Sequence, residues 1–300
     1  MNFIDCHLHI RTGQPVQFYN DFDFEQFIEV QSACPSNWSF IMINPTIQTM
    51  FCPKDNSHMV CIKDTGEANT LVLYCTKCNK ELYRGPDPYR KANLELLQLC
   101  HEHKNLVPFI TLAMSNNTIP YEIEFYEKHY ASNFCGFKLH PALNMRNPAE
   151  LHAFNSIRPV IIHSGTPMHT TPYNILDFAK KYKGNVDIAH LACFNDEILN
   201  SKLPSNIFFD TSPLSVLLEE CVDDAPSEYL KASALSKKAL KQIIINYLLR
   251  ENIMFGTDIP FSDRQIELNE IKKYITSKNK SKILFENALK FAGKFIQPFL

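Results

Sequence analysis

The fold class this chain predicts is α/β, a (β/α)8 barrel, and three observations predict it. Short apolar runs alternate with helix-like stretches along most of the 300 residues, a pattern that implies a parallel sheet with helical crossovers. About eight such units remain once one insertion is removed, which suits a closed barrel of roughly 250 residues. The runs end, one after another, on residues that bind metals or move protons, and the C-terminal strand ends are where barrel active sites form.

The first run, Phe3-Ile4-Asp5-Cys6-His7-Leu8-His9, ends on His-x-His. Strict alternation along a strand would put His7 and His9 on one face with Asp5 below them, and Ile4, Cys6 and Leu8 on the other. Further strands are expected at 39–45, 106–112, 134–140, 159–163, 186–190, 206–211 and 253–258. Helices are expected at 21–33, 90–103, 120–131, 172–183, 234–250 and 281–295. The strand runs close on Lys138 and His140, on His163, on His190 and on Asp258. Each is rich in β-branched or aromatic residues, the form of a strand buried on both faces. A second His-x-His, His101-Glu-His103, lies in a helical stretch, where residues two apart diverge by roughly 200° and cannot share an ion. The runner-up architecture is an open doubly wound sheet. No glycine-rich phosphate fingerprint supports it, in a chain with only eight glycines. In a closed barrel strands one and eight are neighbours, which brings Asp258 to His7 and His9.

Between strands two and three, residues 46–85 break the pattern. Cys52, His58, Cys61, Cys75 and Cys78 fall here, and two β-like runs flank the turn Asp64-Thr-Gly66-Glu67. Some forty residues without a helical pattern read as an inserted β-rich flap, resembling a zinc ribbon, in a barrel spanning 1–300. Cys75-x2-Cys78 has the form of a zinc knuckle, with Cys52 and either His58 or Cys61 completing four ligands. The competing reading is a plain hairpin with free thiols.

A net charge of −2 offers no global field for nucleic acid or an anionic membrane, and no apolar run reaches membrane-spanning length. Ten cysteines without a secretory signal fit reduced thiols and a cytoplasmic location. The expected partner is a small-molecule substrate, with neither nucleic acid nor membrane, and homo-oligomerisation is left open.

A catalytic zinc uses three protein ligands and keeps a position for water. His7, His9, His163 and Asp258 are the candidate ligands of Zn2+ or another divalent metal. Asp258 and His190 are the candidate proton carriers. Lys138, His140 and Arg11 are candidates for holding substrate. Asp5 reads as a carboxylate that fixes the tautomer of a ligand histidine.

The motifs Ile4-Asp-Cys-His7-Leu-His9, Gly136-Phe-Lys138-Leu-His140-Pro141, Ile162-His163-Ser-Gly165, Ala189-His190-Leu191, Phe255-Gly-Thr-Asp258-Ile-Pro260 and Ile283-Leu-Phe-Glu-Asn287-Ala288 resemble the amidohydrolase superfamily. More specifically they resemble its metal-dependent TIM-barrel branch, amidohydrolase 2. They run in family order across nearly the whole barrel and leave out only the insertion. The resemblance implies that His7, His9 and His163 are metal ligands and that Asp258 touches metal and hydrolytic water. It makes His190 either a second-metal ligand or a catalytic residue. Lys138 stands where binuclear relatives carry a carbamylated bridging lysine, and one metal is favoured here. The expected function is cleavage of a C–O or C–N bond in a small carbonyl compound by metal-activated water. The alternatives are non-hydrolytic decarboxylation of a small aromatic acid and a catalytically idle zinc protein that binds a partner through its flap. A TatD-type nuclease fits less well, because the fourth strand ends in Lys-Leu-His rather than that family's glutamate motif.

Overall fold

A computed structural model describes residues 2–10, 27–28, 31, 37–43, 52, 54, 60–165, 170–219 and 237–300 of the chain. In chain order its strands are β1 (Ile4–Ile10), β2 (Trp38–Ile43), β3 (Val60–Asp64), β4 (Leu71–Cys75), β5 (Glu81–Gly85), β6 (Leu106–Thr111), β7 (Gly136–Leu139), β8 (Val160–Ile162), β9 (Val186–Ile188), β10 (Ile207–Asp210) and β11 (Ile253–Met254). Eight of them form one parallel sheet in the order β1-β2-β6-β7-β8-β9-β10-β11, and β3-β4-β5 form a separate antiparallel sheet. All eight expected barrel strands are present, in sequence order around the sheet. The expected helix at 21–33 lies mostly outside the described residues.

The last strand is short as a ladder, but its continuation closes the barrel. Cys6 N donates to Phe255 O at 2.8 Å, Asp258 N to His7 O at 2.7 Å and His9 N to Ile259 O at 2.7 Å. Asp5 reinforces this seam by accepting from Thr257 N (3.0 Å) and Thr257 Oγ1 (2.8 Å).

Alternate residues of the strands meet in one apolar cluster: Phe40 and Met42, Val107 and Phe109, Ile161, Phe208 and Met254, joined by Ile4 and Cys6. Side chains from strands around the whole ring can touch only inside the barrel, so this is its interior packing. Ala288, Phe291 and Ile296, from the C-terminal helical segment, belong to the same cluster and close off that end. The intervening residues Phe137, Leu139, Val160, Ile162, Ile188 and Phe209 pack outward with the helices.

Strict alternation fails in β1. Asp5 pairs with Ser39 and Leu8 with Ile41, so three steps on β1 oppose two on β2, which is a β-bulge. Ile4 and Cys6 join the interior cluster, whereas Leu8 joins an outer one with Ile41, Ile43 and Leu96. His7 is thereby turned inward beside Cys6. Asp5 is turned out to Arg264 (3.3 Å), whose guanidinium also bonds Gln31 and Ser39. The expectation that Asp5 lies beneath the histidine pair and fixes one of their rings is therefore corrected: it binds the seam and an outer arginine.

The helices start where short-range chemistry dictates. Thr171 precedes Pro172 and accepts from Asn174 N, and Asp263 accepts from the amides of Gln265 (2.8 Å) and Ile266 (3.0 Å). The helix Arg90–Glu102 buries Leu96, Leu97 and Cys100, while His101 at its end is exposed. In the insertion, Leu71, Leu73 and Cys75 alternate into a fully buried face. Leu71 and Leu73 share a cluster with Leu8, Ile41 and Ile43, so the small sheet borrows its core from the barrel's outer wall. The expected two β-runs are β3 and β4; β5, with its exposed Glu81 and Arg84, is an additional strand. Asp64 ties the sheet to the loops beyond β6 and β7 by accepting from Ser115 Oγ (2.6 Å) and Arg146 Nη2 (2.7 Å).

Candidate metal centre

Two neighbouring strands build the centre, across the closing seam. His7 and His9 come from β1, and Asp258 from the extension of β11. The approach is tight: a Cβ on Gly256 would sit 3.1 Å from both His7 Cβ and Ser212 Cβ. Asp258 itself adopts φ +60°, a left-handed conformation that aspartate tolerates better than most residues.

His7 Nε2 lies 3.2 Å from His9 Nε2 and 3.7 Å from Asp258 Oδ1, and His9 Nε2 lies 3.4 Å from the same oxygen. Ligand atoms bound at about 2.1 Å to one ion are about 3.0–3.5 Å apart, so the three atoms have the spacing of a shared cation. Two observations test the fit. His7 Nδ1 is 2.7 Å from Asp210 Oδ2. A carboxylate only accepts, so Nδ1 carries the proton and Nε2 turns a lone pair toward His9. Asp258 Oδ1 is buried without a hydrogen-bond partner. A buried orphan acceptor beside two imidazole nitrogens suits a divalent cation.

Lys138 projects from β7 into the same space, with Nζ 3.0 Å from His7 Nε2. It is fully buried, and burial brings its ammonium down to about 8 despite Asp258, Asp210 and Asp187 nearby. Lys138 and a cation would compete for the same lone pair of His7. Burial raises the Asp258 carboxyl well above its usual range, with Lys138 opposing and Asp210 adding to the shift. Burial and Lys138 together lower His7, and lower His9 further.

His190 sits beside the triad, its ring stacked on His7 with centroids 5.1 Å apart. Its Nδ1 lies 2.7 Å from the Ser212 carbonyl, which can only accept, so Nδ1 is protonated and Nε2 faces His163 Nδ1 at 2.9 Å. Burial, then His7, brings its pKa down to about 3, so the ring is neutral. His163 is thus linked to the centre through His190; among the described residues it is in neither of the two histidine–carboxylate groups compact enough to hold an ion. His140 stacks on His163 at 4.0 Å, and its Nδ1 accepts from Leu143 N, capping the short helix Pro141–Asn144. Arg11 lies outside the described residues.

Sequence reading overlooked Asp210. It ends β10 and holds His7 Nδ1 with one oxygen; with the other it accepts from His190 N (3.2 Å), Ser212 N (3.0 Å) and Ser212 Oγ (2.5 Å). Burial alone would raise its carboxyl, but His7 and the hydrogen bonds outweigh that and hold it well below the ordinary range. The signal was available: Ile207-Phe-Phe-Asp210 is an apolar run closing on an acid, the same form as the others. Asp187, inside β9, is fully buried, and burial followed by Asp210 raises its carboxyl well above normal. A charged residue between Val186 and Ile188 marks the inward face of that strand.

A separate group of sulfurs lies in the insertion. Cys52, Cys75 and Cys78 place their Sγ atoms within 4.8 Å of one another. Cys61 does not join them. It pairs with Tyr74 across β3 and β4, so it shares the face of Tyr74 and not that of Cys75, and its Sγ points to the Ile62 carbonyl. The expectation of Cys61 as a fourth ligand is corrected accordingly, and His58 lies outside the described residues.

No family model matches the sequence, and no curated protein does. Solved structures match along its length. Dihydroxybenzoic acid decarboxylase from Polaromonas sp. JS666, with bound manganese and the inhibitor 2-nitroresorcinol, is 13% identical, with 97% of each chain covered and a TM-score of 0.59. 5-Carboxyvanillate decarboxylase from Sphingomonas paucimobilis is 11% identical, with 97% of this chain and 98% of that one covered and a TM-score of 0.58. 2,6-Dihydroxybenzoate decarboxylase from Rhizobium is 12% identical at the same coverage, with a TM-score of 0.56. At such identity the likeness establishes the fold, the TIM barrel that the amidohydrolase resemblance implies. No helix among the described residues is long and apolar enough to cross a membrane.

Proposed function

We propose that this protein is a divalent-metal-dependent decarboxylase of a small aromatic carboxylic acid. The observation that carries it is the triad of His7 Nε2, His9 Nε2 and Asp258 Oδ1 at 3.2–3.7 Å, with its orphaned carboxylate oxygen, at the mouth of a barrel matched end to end by three aromatic-acid decarboxylases. Hydrolysis, the first expectation from sequence, receives no comparable support from the structural likeness.

His7, His9 and Asp258 would hold the ion, and His163 remains a candidate ligand by resemblance. When bound, a divalent cation supplies charge that anchors and polarises an anionic substrate oxygen. The donor set of two imidazoles and a carboxylate accommodates manganese or zinc. Loss of CO2 leaves an electron pair on the ring carbon, which must take up a proton from an acid in the site. Asp258 is assigned that transfer, being the carboxyl that the extension of β11 places at the mouth beside His7 and His9. Asp210 holds His7 in one tautomer, and the Ser212 carbonyl does the same for His190. His190 turns its unprotonated Nε2 to His163 Nδ1 at 2.9 Å, and the stacked rings of His140 and His163 form an aromatic wall beside it. Lys138 supplies an ammonium that can pair with the substrate carboxylate before it leaves.

The test is manganese- or zinc-loaded protein incubated with a panel of hydroxybenzoic acids, with released CO2 and the phenolic product quantified together. Equimolar CO2 and phenol, lost in His7→Ala/His9→Ala, is the expected result. Turnover of ester or amide substrates without CO2 release from any acid would overturn the decarboxylase reading in favour of hydrolysis.

A further inference from the structure

The three cysteines of the insertion play no part in the chemistry at the barrel mouth, and their arrangement is not that of isolated thiols. Cys52 Sγ and Cys78 Sγ are 3.5 Å apart, far beyond a disulfide bond of about 2.05 Å. Thiolates sharing one tetrahedral zinc at about 2.3 Å stand about 3.8 Å apart. Cys75 Sγ completes the group within 4.8 Å. All three cysteines are free of disulfides; Cys52 and Cys75 are fully buried, and Cys78 is exposed. The local backbone folds around this point. Asn79 N donates to Cys75 O at 2.9 Å, Cys75 N donates to Lys80 O at 3.0 Å, and Asn79 takes φ +54°. This tight turn brings Cys78 back over the end of β4.

We propose that Cys52, Cys75 and Cys78 form a zinc site, independent of the barrel centre, that fastens the chain beyond β2 to the β4–β5 turn. Soft thiolates select zinc over manganese, magnesium or calcium, whereas the imidazole–carboxylate triad accepts harder ions. Binding displaces a proton from each thiol that enters as thiolate, so affinity rises with pH.

The location gives the site a purpose. Among the described residues the small sheet has no separate core: Leu71, Leu73 and Ile62 pack on the outer wall of the barrel. At Asp64 two hydrogen bonds fix it to the loops beyond β6 and β7. A zinc clasp at the Cys75 end would secure the other end of β4, so that the sheet is held at both ends beside the mouth. A site that ties together segments with little core of their own is the usual setting for structural zinc.

The full-length chain is loaded with Zn2+ alone, and zinc content and the alkylation rates of Cys75 and Cys78 are measured in four proteins: wild type, Cys78→Ser, Cys75→Ser/Cys78→Ser and His7→Ala/His9→Ala. Cys78→Ser is the informative single change, because an exposed side chain can be replaced without disturbing the packing. The expected result is loss of one bound zinc in both cysteine variants, its retention in the histidine variant, and protection of the thiols by zinc that a chelator reverses. Cobalt substitution should add a sulfur-to-metal charge-transfer band in the histidine variant that is absent from the cysteine variants. Equal alkylation with and without zinc would overturn the proposal, as would unchanged zinc content in the double cysteine variant or a Cys52–Cys78 disulfide in the zinc-loaded protein. These outcomes do not depend on whether the barrel decarboxylates anything.

Discussion

The barrel mouth and the insertion each gather three ligand-type atoms, and they do so by opposite means. At the mouth, His7, His9 and Asp258 are brought together by a seam of backbone hydrogen bonds and by Asp210, which fixes one of the rings. The group is assembled by the fold itself. In the insertion, two of the three sulfurs lie three residues apart in one turn, and the third comes from a segment beyond β2. There one sulfur comes from the buried end of β4, one from the exposed turn after it and one from buried Cys52, and a bound ion would tie the three together. The difference teaches that preorganisation is set by how many interactions hold the ligands before the ion arrives. A centre held by the fold can lose its ion and keep its shape, whereas a centre held by its ion cannot.

The strongest way to break the comparison is His7→Ala/His9→Ala. CO2 release should fall to background and the barrel ion should be lost, while far-ultraviolet circular dichroism and the thiolate-bound zinc remain. If the variant also lost the second ion, the two centres would not be independent.

A finer test removes only the preorganisation. Asp210→Asn keeps the size of the side chain but takes away the carboxylate that holds the His7 Nδ1 proton. Metal affinity at the mouth, followed by titration calorimetry, should weaken by about 10–100-fold, the usual effect of losing a partner of a ligating histidine. Unchanged affinity would mean that the bulge alone orients His7.

In the insertion the same logic predicts a stability effect rather than a catalytic one. With zinc at 100 times its dissociation constant, wild type should gain about 2.7 kcal/mol over the chelated protein. Cys78→Ser should lose most of that gain in denaturant titrations and become more susceptible to protease within 60–85.

The smallest effect is a slope. Asp87, where the chain leaves the insertion for the helix Arg90–Glu102, accepts from Tyr89 N (2.8 Å) and Ala113 N (2.7 Å). Burial, and then Glu122, raises its carboxyl from 3.8 to about 8. Between those values the unfolded chain has released a proton that the folded chain still holds. The stability favoured by the protonated form is therefore full below about pH 4 and is lost as pH rises toward 8. Asp87→Asn should flatten this part of the profile in chemical denaturation, whatever it does to absolute stability, because one of the two backbone donors loses its acceptor. A slope identical to wild type would show that Asp87 is not the group responsible.

Much of the barrel was legible because each buried strand carries its own signature, an apolar run closed by a polar residue. His7, His9, Lys138, His163, His190 and Asp258 could be placed at strand ends from that signature alone. Three features were not legible. The bulge in β1 arises from its pairing with β2 and leaves no mark in Phe3–His9, so strict alternation gave Asp5 the wrong face. Asp210 had the right signature, but its role as the partner of His7 depends on the closed ring. β5 was missed because Glu81 and Arg84 make it polar, and a strand at the edge of a small sheet needs no apolar face of its own.

The seam between β1 and the last strand has a consequence for the order in which a ribosome delivers this chain. His7 and His9 leave the exit tunnel among the first residues, and Asp258 follows only after some 250 more. No ion can be gripped by all three until then, because strand eight does not yet exist. The sulfurs of Cys52, Cys75 and Cys78 are complete by residue 78. With the proposed zinc site, the nascent chain would therefore offer a thiolate trap long before it offers the imidazole–carboxylate one. A soft ion captured early would be held away from the two waiting histidines, whose own group is completed only after the barrel has closed.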